Sequence, residues 1–131
     1  MYPRIGCVLA ILLASVACGS DTTSPSEQVA CTGNVAVSVS SGTTPNISWD
    51  PACKAYSVLV EGDGGDVWGI ASEDGENAIA TPVRYGVVPA GATEFAPPSL
   101  LSAGTTYSVA VFRWTGPPED GTLIGTKAFT P

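Results

Sequence analysis

The sequence predicts an all-β fold, an antiparallel β-sandwich. Three observations carry that expectation: short stretches of alternating apolar residues, frequent glycine and proline between them, and no apolar repeat of helical period. Alternation puts successive side chains on opposite faces of a strand, so one face packs while the other meets water. The 15 glycines and 11 prolines in 131 residues supply turns often enough to keep each strand short.

Val35, Val37 and Val39 mark the first strand, and Ile47 with Trp49 the second. Between them, Ser40-Ser41-Gly42-Thr43-Thr44-Pro45 has turn composition. A hairpin centred on Gly42 sets Val37 opposite Ile47, Val35 opposite Trp49 and Cys31 opposite Cys53. All six are odd-numbered, so apolar residues and both sulfurs share one face. Facing positions in an antiparallel ladder lie ~4.5–5.5 Å apart at Cα, within reach of a disulfide. Asp50-Pro51 interrupts the ladder just before Cys53. The other reading of two thiols is half a metal site, but a chain without histidine lacks the remaining ligands. A Cys31–Cys53 disulfide is expected, and with it an oxidising compartment.

Tyr56, Val58 and Val60 define a third strand, and Trp68 with Ile70 a fourth. Tyr107, Val109 and Val111 define a later one, and Leu123 to Phe129 the last. The proline-rich stretch from Pro82 to Pro98 leaves pairing open, above all between Ile79 and Val88.

Met1 to Ala17 has the layout of a secretory signal, with positive charge at Met1 and Arg4 and then an apolar run from Ile5 to Ala17. That run of 13 residues falls short of the ~20 needed to cross a bilayer core. Cleavage is expected, which also removes Cys7. The segment Leu13-Ala14-Ser15-Val16-Ala17-Cys18-Gly19 resembles the lipobox of bacterial lipoproteins, with Ser15 where that family prefers Leu. The resemblance implies a diacylglycerol thioether on Cys18 and anchorage in a lipid bilayer through that cysteine. Plain cleavage after Ala17 is the other reading, and it leaves a reactive, unpaired thiol on an exported chain. Acyl chains hold firmly, at about 0.8 kcal/mol per buried CH₂. Gly19, rather than Asp, follows the cysteine, which in that family implies the outer membrane where the source has one. Residues 1–17 are read as signal peptide, 18–30 as lipidated cysteine and flexible tether, and 31–131 as one domain.

From Val35 onward the chain resembles a fibronectin type III domain, an immunoglobulin-like sandwich. The resemblance rests on Pro45-Asn46-Ile47-Ser48-Trp49-Asp50-Pro51, on Tyr56-Ser57-Val58-Leu59-Val60, and on Leu101-Ser102-Ala103-Gly104-Thr105-Thr106-Tyr107-Ser108-Val109-Ala110-Val111. It implies Trp49 as the core tryptophan and Tyr107 as a corner tyrosine whose hydroxyl bonds upstream backbone. The cysteine pair and the long 82–98 segment depart from the family pattern. Members of the family bind, space or adhere, so the resemblance implies no catalysis.

Composition points the same way. Twelve acidic residues against five basic give a net charge of −7, unsuited to nucleic acid, which needs clustered Lys and Arg. Without histidine, Ser–His and Cys–His nucleophiles are excluded and zinc loses its commonest ligand. No phosphate-binding or dinucleotide fingerprint occurs, and no cofactor is expected. Paired carboxylates remain, but a small sandwich offers them little cleft. Asp63, Asp66, Glu73 and Asp74 form a weak candidate calcium site without the spacing of an EF-hand; the alternative is two solvated turns.

The sharper candidate is a surface for an unknown protein or glycan partner. If Tyr107, Val109 and Val111 face inward, Ala110, Phe112 and Trp114 face outward, and Leu59 and Ile124 share that parity in the fibronectin arrangement. An apolar outer sheet face on an acidic domain suggests docking. A covering segment is the bland alternative. A carbohydrate-binding module would instead use Trp68, Trp114 or Tyr85 as a stacking platform, and a spacer would bind nothing.

Overall fold

The computed structural model describes residues 28–117 and 121–131. The signal, Cys18 and most of the tether lie outside those residues. Eight strands are present and no helix occurs among the described residues. They are β1 (Ala36–Val39), β2 (Asn46–Asp50), β3 (Ser57–Gly62), β4 (Gly65–Ser72), β5 (Val83–Arg84), β6 (Ala92–Ala96), β7 (Tyr107–Trp114) and β8 (Gly121–Phe129). They build two antiparallel sheets, one ordered β1-β2-β5 and the other β6-β4-β3-β7-β8. The fold is an all-β sandwich.

The core lies between the sheets and follows the alternation. Val58 and Val60 of β3, Trp68 and Ile70 of β4, and Val109 and Val111 of β7 are wholly buried against Ile47 and Trp49 of β2. Each side chain of this size contributes roughly 1.5–3 kcal/mol when buried. The Trp49 indole N–H donates to Cys53 O at 2.7 Å, so its one polar atom is satisfied.

Parity in the first hairpin is as expected, but its register differs by two residues. Val37 faces Trp49 and Val39 faces Ile47. The turn closes where Ser40 N donates to Asn46 O and Asn46 N donates to Ser40 Oγ, which moves the centre to Thr43. Because side chains alternate with period two, such a shift keeps every residue on its face.

The Cys31–Cys53 disulfide is formed, with Cα atoms 4.9 Å apart, but not as a rung of that ladder. Residues 29–31 instead run parallel to the chain at Lys54: Lys54 N donates to Val29 O, and Cys31 N donates to Lys54 O. Gln28 locks onto Thr81, giving its amide N–H to Thr81 O and accepting from Thr81 N. Gln28, assigned to the tether by the sequence, is thus bonded to the sandwich. Nothing in the composition of Gln28-Val29-Ala30 announces this, because the pairing is made through backbone and one amide.

The two sheets meet at one edge through β1 and β8. Val35 N donates to Ile124 O, and a β-carbon at Gly125 would meet the Val35 carbonyl and the Val37 side chain. The segment left open by the sequence divides between the sheets, β5 joining β2 and β6 joining β4.

Candidate functional site

The outward face of the five-stranded sheet is built by the same alternation that fills the core. With Val58, Ile70, Val109 and Val111 turned inward, Leu59, Gly69, Ala71, Ala110 and Phe112 turn outward. Two rows cross the sheet. In one, Phe95 covers Gly69, which pairs with Leu59, which pairs with Ala110. In the other, Ala71 pairs with Ser57, Ser57 with Phe112, and Phe112 with Leu123.

Exposure along these rows is uneven. Phe95 keeps 53 % and Leu123 49 % of their surface in water. Leu59, Ala110 and Phe112 are half-buried. Neither row carries a charge. Acidic residues lie toward the strand ends instead: Glu61 of β3 faces Asp66 of β4, Asp63 sits in the turn between them, and Glu73, Asp74 and Glu76 follow β4.

Trp114 ends the apolar face in a fixed position. Its ring packs on Tyr56 at 5.1 Å between centroids. Its backbone is clamped by Asn77, whose Oδ1 accepts from Trp114 N at 2.7 Å while Nδ2 donates to Trp114 O at 3.4 Å. Gly75, in the left-handed region at φ 60°, brings the 73–77 turn against the indole. Trp114 is thereby partly covered by the turn.

Ile124 does not belong to the face. It is 4 % exposed and lies in the core. The ladder of β7 with β8 shifts between Val111 and Phe112, so one extra residue enters β8 there. Such a bulge reverses the alternation beyond it, turning Ile124 inward and Leu123 outward. Leu123 takes the place that sequence parity assigned to Ile124.

The aromatic platform also dissolves. Trp68 is 0 % exposed, and its indole N–H donates to Glu94 Oε2 at 3.0 Å. Tyr85 packs beside it, ring centroids 5.2 Å apart, with its hydroxyl on Ser99 O at 2.7 Å and Val67 O at 3.1 Å. Burial pushes the Tyr85 hydroxyl pKa up, the Ser99 bond opposes this, and Tyr107 adds to the rise. Trp68 and Tyr85 are core groups, and only Trp114 of the three aromatics reaches the surface.

The four carboxylates suggested for calcium are not brought together. Asp63 and Asp66 lie at one end of β4 and Glu73 and Asp74 at the other; the strand from Val67 to Ser72 keeps Asp66 and Glu73 about 23 Å apart. Among the described residues no group of three or more His, Cys, Asp or Glu is placed to hold a metal. Alternation fails as a signal here because turns, not faces, set where these acids lie.

Phe95 and Tyr56 were not legible as surface-forming residues. The inward neighbour of Phe95 is Glu94, a charge at a core-facing position, so the alternating pattern of β6 is disguised. Tyr56 precedes β3 and turns toward Trp114 rather than the core. No family model, curated protein or solved structure matches this chain.

Proposed function

We propose that this chain is an envelope-anchored interaction module of fibronectin type III character, held in the bilayer by acylated Cys18 and docking a protein through the outer face of β6-β4-β3-β7-β8. One observation carries the docking surface: Phe95 and Leu123 stand half in water on two adjoining sheet rows without a charge, in a chain whose net charge is −7. Exposing such side chains costs solvation free energy that a partner recovers.

The fibronectin character is supported by the pairing of β1-β2-β5 against β4-β3-β7-β8, with β6 added at one edge. Buried Trp49 supports it, as does Ser102 N donating to the Tyr107 hydroxyl at 2.9 Å. The Cys31–Cys53 disulfide favours an oxidising location outside the cytoplasm. A protein partner is favoured over a glycan because sugar stacking needs open aromatic faces, and those of Trp68 and Tyr85 are buried. Catalysis is no part of this reading.

The test uses the full chain in its native cell. A photo-crosslinking residue at Leu123 captures a neighbouring protein, whereas one at Ser38, exposed on the three-stranded sheet, does not. Phe95→Ser with Leu123→Asp abolishes that capture and leaves a cooperatively folded domain, its thermal midpoint lowered only by the lost Phe95 packing. Labelled palmitate enters the chain and is lost in Cys18→Ser. Equal capture at Leu123 and Ser38 refutes the docking face, and label that survives Cys18→Ser refutes the anchor.

A further inference from the structure

A cleft of about 500 Å³ lies away from that face, its lining including Lys54, Ala78, Ala80, Pro82, Pro89 and Gly91. Its size falls among small-molecule sites, roughly 300–1,000 Å³. The lining is unusual in two respects. Apart from Lys54 it is made only of Ala, Pro and Gly, so a ligand approaches the backbone closely and meets almost no side-chain rotamer to be frozen. Lys54, half-buried, is the one ionised side chain in the wall.

The walls are set before any ligand arrives. Lys54 is held on both backbone atoms, donating to Val29 O at 2.7 Å and accepting from Cys31 N at 2.8 Å, beside the Cys31–Cys53 crosslink. Ala55 and Ile79 exchange a reciprocal pair of bonds at 2.8 and 2.9 Å, which fixes the neighbouring Lys54 and Ala78. Ala78 N also donates to Ser72 Oγ, and Gly91 O accepts from Glu73 N. Binding to a pre-formed cleft avoids the ordering cost that weakens most small-ligand contacts.

Charge then selects the ligand. The Lys54 ammonium, the one cation among apolar lining groups, attracts an anion as a point charge. Ala78 and Gly91 also border a second recess of about 100 Å³ that carries Glu73, Asp74 and Glu76. A second negative charge on the ligand is repelled there. The complementary molecule has one carboxylate and a slender apolar body.

We propose that this cleft binds an aliphatic monocarboxylate, its carboxylate on the Lys54 ammonium and its body along the Ala/Pro wall. A short fatty acid and a peptide C-terminus ending in small residues both present this chemistry. The site is independent of the docking face, and neither stands or falls with the other.

The experiment is an amide-resolved NMR titration of the full chain with hexanoate, hexanamide, adipate and N-acetyl-Ala-Ala. Hexanoate shifts the Lys54, Ala78 and Gly91 amides saturably, and hexanamide and adipate bind about tenfold more weakly. Lys54→Gln removes the difference between hexanoate and hexanamide without moving the thermal midpoint. Tighter binding of hexanoate than of N-acetyl-Ala-Ala assigns the body to a hydrocarbon chain, and the reverse order assigns it to a peptide end. Equal shifts from hexanoate and hexanamide, hexanoate binding unchanged in Lys54→Gln, or no saturable shift at these amides overturns the proposal.

Discussion

Phe95 rests on Gly69 so closely that a β-carbon at Gly69 would overlap the phenyl ring. The pair is the join between edge strand β6 and its neighbour β4, where the ladder also shifts register. Two effects oppose each other when Gly69 becomes Ala. Glycine inside a strand costs roughly 0.5–1 kcal/mol relative to Ala, so filling it favours the fold. Displacing Phe95 costs about 1–2 kcal/mol of packing. Gly69→Ala alone is therefore expected to be neutral or destabilising by about 1 kcal/mol, yet stabilising in a Phe95→Ala background. Urea titration of the four-member cycle measures this coupling, and additive changes would dismiss the contact as incidental.

Gly125 meets a harder obstacle. Its missing β-carbon would lie 2.7 Å from Val35 O and 2.8 Å from Val37 Cγ2. A carbonyl fixed in backbone cannot swing away as a phenyl ring does. Gly125→Ala is expected to lose about 2–3 kcal/mol by parting β1 from β8. Hydrogen exchange supplies the specific readout: the Val35 amide, bonded to Ile124 O at 2.9 Å, loses protection before the β3–β7 amides do. Uniform loss across both sheets would mean that the sandwich is not joined at this edge.

The disulfide closes a sequence separation of 22 residues, for which chain entropy predicts about 3 kcal/mol. Replacing both cysteines by Ala should lower the urea midpoint accordingly without changing the fold. Both cysteines are nearly inaccessible, 4 % and 5 % exposed, so reductant should act on the native protein only as fast as it opens. Rapid reduction in native buffer would contradict that burial.

These positions show what the sequence discloses and what it conceals. Alternation gave the buried faces of β1, β2, β3, β4 and β7 correctly, because facing depends only on parity. Register does not follow from parity, so Val37 was assigned to Ile47 when it faces Trp49. The bulge that turns Ile124 inward leaves no composition signal, since Leu123 and Ile124 are equally apolar. On the outer face of the five-stranded sheet, Leu59 and Phe112 are legible from alternation, whereas Phe95 is hidden by the charge of Glu94 beside it. Tertiary partners decide the remainder: alternation marks Trp68 as core-facing, but that its indole and the Tyr85 hydroxyl are bonded to Glu94 and Ser99, which removes both from the glycan reading, depends on segments distant in sequence.

Tyr85 gives the pH test. Burial raises its pKa above 10.0 in the folded chain, the bond to Ser99 O opposes that rise, and Tyr107 reinforces it. Between about 10 and the folded value, the unfolded chain has lost this proton and the native chain retains it. The unfolded state then binds fewer protons, so stability falls as pH increases through that window. Below it the contribution is fully present. Tyr85→Phe removes the titration and leaves Ser99 O without its donor, a loss of roughly 1–2 kcal/mol near neutrality. The gap in unfolding free energy between wild type and Tyr85→Phe should therefore be constant from neutral pH to about 10 and shrink above it. Guanidinium titrations at several alkaline pH values measure that gap. If it stayed level beyond pH 10, the hydroxyl would titrate alike in both states, and burial would not be holding the proton on Tyr85.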